Sequence, residues 1–144
     1  MGKMTRRQLR EHLLKLLYLR EFHDLDEFDE QFELYIDNFT DFEEGDEDIA
    51  VIRKRFDNII PHLAEIDKII ENAALGWKFS RIGKIELMLL RIALFEIKYD
   101  ENVPDKAAIN EAVELTKQYG SDDKSYGFVN GVLGQYLNSG SSEE

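Results

Sequence analysis

The chain has no cysteine, which excludes disulfides, thiolate catalysis and Cys-ligated zinc. It has only two prolines, and each falls at a break in the helical pattern described below. No run approaches the roughly 18 uninterrupted apolar residues of a membrane span, and Met1 to Leu9 lacks the apolar core of a signal peptide. A cytoplasmic location without membrane contact is therefore expected. Basic residues are also few, 18 Lys and Arg against 30 Asp and Glu, giving a net charge of −12 that, taken as a whole, argues against nucleic acid. What is present is a core: 43% of the 144 residues are apolar, with nine Phe, six Tyr and one Trp, too many aromatics for a disordered chain. That length supports one domain, expected over residues 1–138, with a polar tail over 139–144.

The charge is far from evenly spread. Residues 1–20 hold six basic side chains (Lys3, Arg6, Arg7, Arg10, Lys15 and Arg20) against the single acid Glu11. Residues 21–48 hold fourteen acids and no Lys or Arg. An asymmetry this sharp can create an anion-binding patch on an acidic protein.

The hydrophobic period is helical throughout, with no strict alternation. Thr5 is placed to cap a first helix with Leu9, Leu13, Leu16 and Leu17 as its stripe. A second helix is expected from about Asp26 to Phe39, with Phe28, Phe32, Tyr35, Ile36 and Phe39 inward. After a loop around Gly45, a long third segment starts near Asp48, and Pro61 kinks or restarts it. Gly76-Trp77 marks the next break. Ser80 is then expected to cap a fourth helix through Tyr99, apolar nearly all round except for a polar stripe of Lys84, Arg91 and Lys98. Pro104 opens and Gly120 closes a fifth helix, and a last one runs roughly from Lys124 to Leu137. The fold class is all-α, a compact bundle of about six helices.

Catalysis finds no support. His12, His23 and His62 are far apart, there is no Gly-rich phosphate loop or nucleophile elbow, and the abundant acids read as a solvated face. No metal or cofactor is expected. The basic start is more informative. Arg6, Arg7 and Arg10 fall in the first turns of a helix, where the macrodipole disfavours a cation by about 0.3–1 kcal/mol each. A bound phosphate would neutralise them and accept the open N–H groups of the helix start; a solubilising basic end is the plainer reading. In the last helix Phe128 points about a quarter-turn off the core stripe, at the surface or at a core edge. Gly127, Gly131 and Gly134 share the opposite face, at about 0.5–1 kcal/mol each relative to Ala, so a close backbone or a ligand is expected there. An exposed Phe near a basic helix suits single-stranded RNA.

Several linked segments resemble the NusB family of bacterial antitermination factors. They are Arg6-Arg7-Gln8-Leu9-Arg10 through Leu16-Leu17-Tyr18; Ile85-Glu86-Leu87-Met88-Leu89-Leu90-Arg91-Ile92-Ala93-Leu94-Phe95-Glu96; Val103-Pro104; Ala108 to Leu115; and Tyr119-Gly120 followed by Phe128-Val129-Asn130-Gly131-Val132-Leu133. The similarity covers nearly the whole chain in order. It implies a non-enzymatic, all-helical fold of two three-helix halves. It implies binding to the boxA element of nascent ribosomal transcripts together with NusE, a small-subunit ribosomal protein, in a complex that joins RNA polymerase and suppresses termination. Carried over by position, Arg6, Arg7, Arg10, Tyr18 and Phe128 match RNA-contacting residues. Glu86 matches a glutamate at the NusE face, and Asp122 or Asp123 matches an acid at the RNA and partner surface.

The chain also departs from the family pattern. Gly127 stands where a basic residue usually precedes the Phe-Val-Asn-Gly run, Gln8 where a third arginine often occurs, and the loop from Gly120 to Phe128 is one residue longer. With the acidic stretch repelling RNA, modest affinity alone and dependence on the partner are expected. The competing reading is a helical protein-interaction adaptor or homodimer without direct RNA binding, since the fold self-associates in some members. The same domain also precedes a catalytic domain in RNA methyltransferases, and the absence of one up to Glu144 weighs against that reading.

Overall fold

The computed structural model describes residues 4–139; Lys3 and residues 140–144 of the expected tail lie outside them. Among the described residues every regular element is helical, with seven α-helices, three 3₁₀ turns and no strand. They belong to two compact units, one ending at Ile60 and the other beginning at Pro61.

The first unit holds α1 (Arg6–Arg20), α2 (Phe28–Phe39) and α3 (Glu47–Ile59). Thr5 caps α1 in a reciprocal box. Its Oγ1 accepts from the Gln8 N–H at 3.0 Å, and its own N–H donates to Gln8 Oε1 at 2.8 Å, an arrangement contributing about 1 kcal/mol. The core is the expected periodic set: Leu13, Leu16 and Leu17 of α1, Phe28, Phe32, Tyr35 and Ile36 of α2, and Ile52, Phe56 and Ile59 of α3. Phe28 and Phe56 stack with centroids 4.1 Å apart. Phe39 departs from expectation, being 74% exposed. It is the last residue of α2, and its ring stacks on Tyr35 while the chain turns away into extended backbone at Thr40. Part of the acidic run has a local cause. Gly45 makes a left-handed turn (φ +83°), Asp46 caps α3 through the Asp48 N–H at 2.8 Å, and Glu47 and Asp48 occupy the first turn, where the helix dipole favours anions.

The second unit holds four helices: α4 (Leu63–Ala73), α5 (Lys84–Tyr99), α6 (Asp105–Tyr119) and α7 (Ser125–Ser139). The long third segment is thus two helices, because Pro61, in the 3₁₀ turn at 60–62, ends one and lets the next begin. The halves therefore carry three and four helices. Every residue of α5 from Glu86 to Glu96 is buried, as its nearly continuous apolar run requires. Arg91 is the exception to its expected place in a polar stripe. It is buried and donates from Nε to Asp67 Oδ1 at 2.8 Å and from NH2 to Asp67 Oδ2 at 2.7 Å. Ser80 is not the cap of α5. It lies in a 3₁₀ turn at Phe79–Arg81, and α5 starts at Lys84 behind Gly83.

Candidate nucleic-acid interface

In the first unit the basic side chains follow from the cap. Thr5 starts α1 so that Arg6 and Arg7 fall in its first turn, both exposed, with no acid beside them in that turn. Three helical turns on, Tyr18 returns to the Arg7 face, half-exposed, with its ring edge-on to Phe22 at 5.2 Å. Lys15 is exposed on the neighbouring position, and Phe22 is 62% exposed. Neither was singled out as a site residue in the sequence, Lys15 because one Lys carries no motif and Phe22 because it lies past the helix. Arg10 is placed differently. It is only 6% exposed and is engaged within the chain, so its guanidinium belongs to the packing of the α1 face rather than to open surface.

A neighbouring face of α1 has the opposite character. Gln8 and His12 line a groove of about 870 Å³ whose far wall is Asp41, Glu43, Glu44 and Asp46. Such a wall repels a polyanion, so the cationic face of α1 is directional. His12 Nδ1 lies 2.8 Å from the Tyr35 hydroxyl, and burial, with Lys15 nearby, holds its pKa below the ordinary histidine value.

In the second unit Phe128 is half-buried on α7, and the indole of Trp77 meets its ring edge-on with centroids 5.3 Å apart. Trp77 and Phe128 form one wall of a groove of about 400 Å³ that also includes Arg81, Lys124, Glu86 and Ser121. Aromatic faces beside two exposed cations are the parts of a single-stranded nucleic-acid site. In the sequence Trp77 marks only a break, since a turn residue carries no periodicity.

The acids divide by role. Glu86 is 3% exposed, and its carboxylate accepts from the Ser121 N–H at 2.7 Å and the Ser121 hydroxyl at 2.9 Å. Burial pushes its pKa up, but these bonds, with one from Ser125, outweigh it and hold it below the usual carboxylate value. Two glycines leave room for this carboxylate. A Cβ at Gly83 would collide with Glu86 Oε1, and one at Gly120 would collide with the Thr116 carbonyl and lie 3.1 Å from Glu86 Oε2. Glu86 thus ties the start of α5 to the loop before α7 and shapes the groove from within. Asp122 anchors the α7 start, its Oδ1 accepting from the Lys124 N–H at 2.8 Å and the Ser125 hydroxyl at 3.2 Å. Asp123 is exposed. Gly127, Gly131 and Gly134 do not receive a neighbouring backbone as expected, since a Cβ on any of them would meet nothing within 4 Å.

Comparison with known proteins places the chain in a family. The model of the NusB family matches residues 7–138. The transcription antitermination protein NusB of Lachnoclostridium phytofermentans is 46% identical over 134 residues, 93% of this chain and 99% of that one. The protein of the same name from Agathobacter rectalis is 44% identical over 133 residues, 92% and 99%. Among solved structures, T. maritima NusB matches with a TM-score of 0.77 at 27% identity, covering 96% of this chain and 94% of the other. A chain in the crystal structure of a plectonemic RNA supercoil matches with a TM-score of 0.74 at 26% identity, covering 95% and 97%. With the family model spanning nearly its full length and relatives above 40% identity over nine-tenths of it, the chain belongs to the NusB family.

Proposed function

We propose that this chain is a transcription antitermination factor that binds the boxA RNA of nascent ribosomal transcripts together with NusE and, in a complex with RNA polymerase, promotes processive elongation. It acts in the cytoplasm as one RNA-binding domain over residues 1–138, without a catalytic step. The observation that carries the reading is the pairing of two kinds of RNA chemistry on a NusB-family chain. Arg6, Arg7 and Tyr18 lie exposed on a capped helix, and Phe128 lies in a groove with Trp77, Arg81 and Lys124. Arginines at a helix start serve phosphates, and the aromatics serve bases. Arg10 supports the first set by packing, and Glu86 and Asp122 hold the loop that borders the second. Asp123, exposed on that loop, is then the acid that reaches the RNA or partner surface.

The test is fluorescence anisotropy of a labelled boxA RNA titrated with the chain, with and without NusE. Binding that strengthens with NusE and is lost for a scrambled RNA is the expected result. No binding under either condition overturns the reading and leaves a NusB-family fold acting through protein contacts.

A further inference from the structure

Trp77 is the only tryptophan of the chain and is 57% exposed, yet it is held in a fixed place. Gly76 before it takes the left-handed conformation (φ +81°) that favours glycine, and the Trp77 N–H donates to the Ala74 carbonyl at 3.1 Å. Its edge-on contact with Phe128 makes the two rings a wall between two grooves. On one side lies the groove with Arg81 and Lys124. On the other lies a second groove of about 240 Å³ lined by Leu75, Gly127, Gly131 and Gln135, with no charged side chain among the described residues that line it.

The glycines of this second groove are not required by the packing of the chain. A Cβ at Gly127 or Gly131 would stand in open space, and both lie inside a helix, where glycine is the poorer choice. Their effect is to keep the floor of the groove bare beside an exposed indole. An uncharged groove walled by an indole suits a nucleobase, which offers a π-face to the ring. Gln135, half-buried on the rim, donates from its amide Nε2 to Ser139 Oγ at 3.2 Å, which leaves its amide oxygen and second N–H for a base edge. The cations across the wall supply what the attached phosphates need.

We propose that the second groove is a nucleobase subsite for single-stranded RNA. One base stacks on Trp77 over the bare Gly127 and Gly131 face of α7, while its phosphates stay on the Arg81 and Lys124 side. The subsite extends the RNA-binding reading above and rests on it.

Gly131→Leu tests it without threatening the fold, because the position is an exposed helix interior with open space around it. The substitution should leave the melting temperature equal or higher. The full chain with NusE is titrated with boxA RNA while anisotropy and indole emission are followed together. Trp77→Phe gives the emission to be subtracted, which isolates Trp77. The expected result is quenching of Trp77 along the binding curve, with Gly131→Leu weakening RNA binding about fivefold or more and abolishing the quench. Binding by anisotropy with unchanged Trp77 emission, and wild-type affinity for Gly131→Leu, overturns the subsite and leaves the RNA-binding reading standing. Absence of binding by anisotropy overturns both. Trp77 emission that changes with protein concentration before RNA is added, together with rising light scattering, identifies a second copy of the chain as the occupant and overturns the proposal.

Discussion

Each unit of the molecule contains an arginine held by carboxylates, and the two are held in opposite environments. In the first unit Arg53 reaches Asp29 at 2.7 Å and Asp57 at 3.0 Å, with both carboxylates largely in water and the guanidinium over the rings of Phe28 and Phe32. In the second unit Arg91 forks onto Asp67 with its own side chain 7% and its partner's 25% exposed. The first unit keeps Arg6, Arg7 and Arg53 where water and salt reach them, although Arg10 is buried there too. The second turns a cation inward, where it anchors α4 to α5, and presents an aromatic wall outside. The same residue type therefore stands either at the surface or in the architecture, and burial decides which.

The largest expected effect breaks this contrast if it fails. Asp67→Ala removes both charge-assisted hydrogen bonds from the buried Arg91 guanidinium and should cost about 3–5 kcal/mol in urea unfolding. Asp29→Ala, which removes an exposed partner of Arg53, should cost less than about 1 kcal/mol. Equal costs would show that Arg91 is solvated in solution. Next come the RNA effects. Phe128→Ala should weaken boxA binding by about 1–3 kcal/mol and leave the salt dependence unchanged, since stacking releases no counterions. Arg7→Ala should lower the slope of log affinity against log salt by about 0.7, the value for one phosphate on a single strand. If Phe128→Ala changes the slope and Arg7→Ala does not, the division of labour between the units is reversed.

Much of this architecture was legible in the chain itself. Helical spacing placed Leu13, Leu16 and Leu17, then Phe28, Phe32, Tyr35 and Ile36, then Ile52, Phe56 and Ile59 inside, and Thr5, Pro61, Pro104 and Gly120 sit at helix boundaries as read. Spacing failed where a tertiary partner decides. Arg91 looked like surface because its carboxylate, Asp67, is 24 residues away, and Ser80 looked like a cap because the Glu86 carboxylate that requires Gly83 is invisible to local pattern. Phe39 follows the stripe of α2 but the helix ends with it. The site was half legible for the same reason. Arg6, Arg7 and Tyr18 lie on a helix whose period orients them, whereas the internal role of Glu86 and the wall made by Trp77 depend on loops without a period.

The smallest expected effect asks whether an exposed cluster in the second unit behaves like the surface pairs of the first. Glu65 accepts the Tyr99 hydroxyl at 2.7 Å and pairs with Lys98 at 2.9 Å, and these contacts, Tyr99 foremost, lower its pKa to about 2. A carboxylate whose pKa is depressed on folding adds stability that is fully present above its unfolded value near 4.5 and is lost as pH falls toward 2. Wild type should therefore exceed Glu65→Gln in unfolding free energy at pH 7, with the difference shrinking between pH 4.5 and 2. Because the Glu65 side chain is 40% exposed, the difference should be far smaller than that for Asp67→Ala and should fall further in 1 M salt. A difference that survives both acid and salt would mean that Glu65 acts through packing against Tyr99 rather than through its charge. Exposure would then no longer separate the two classes of pair.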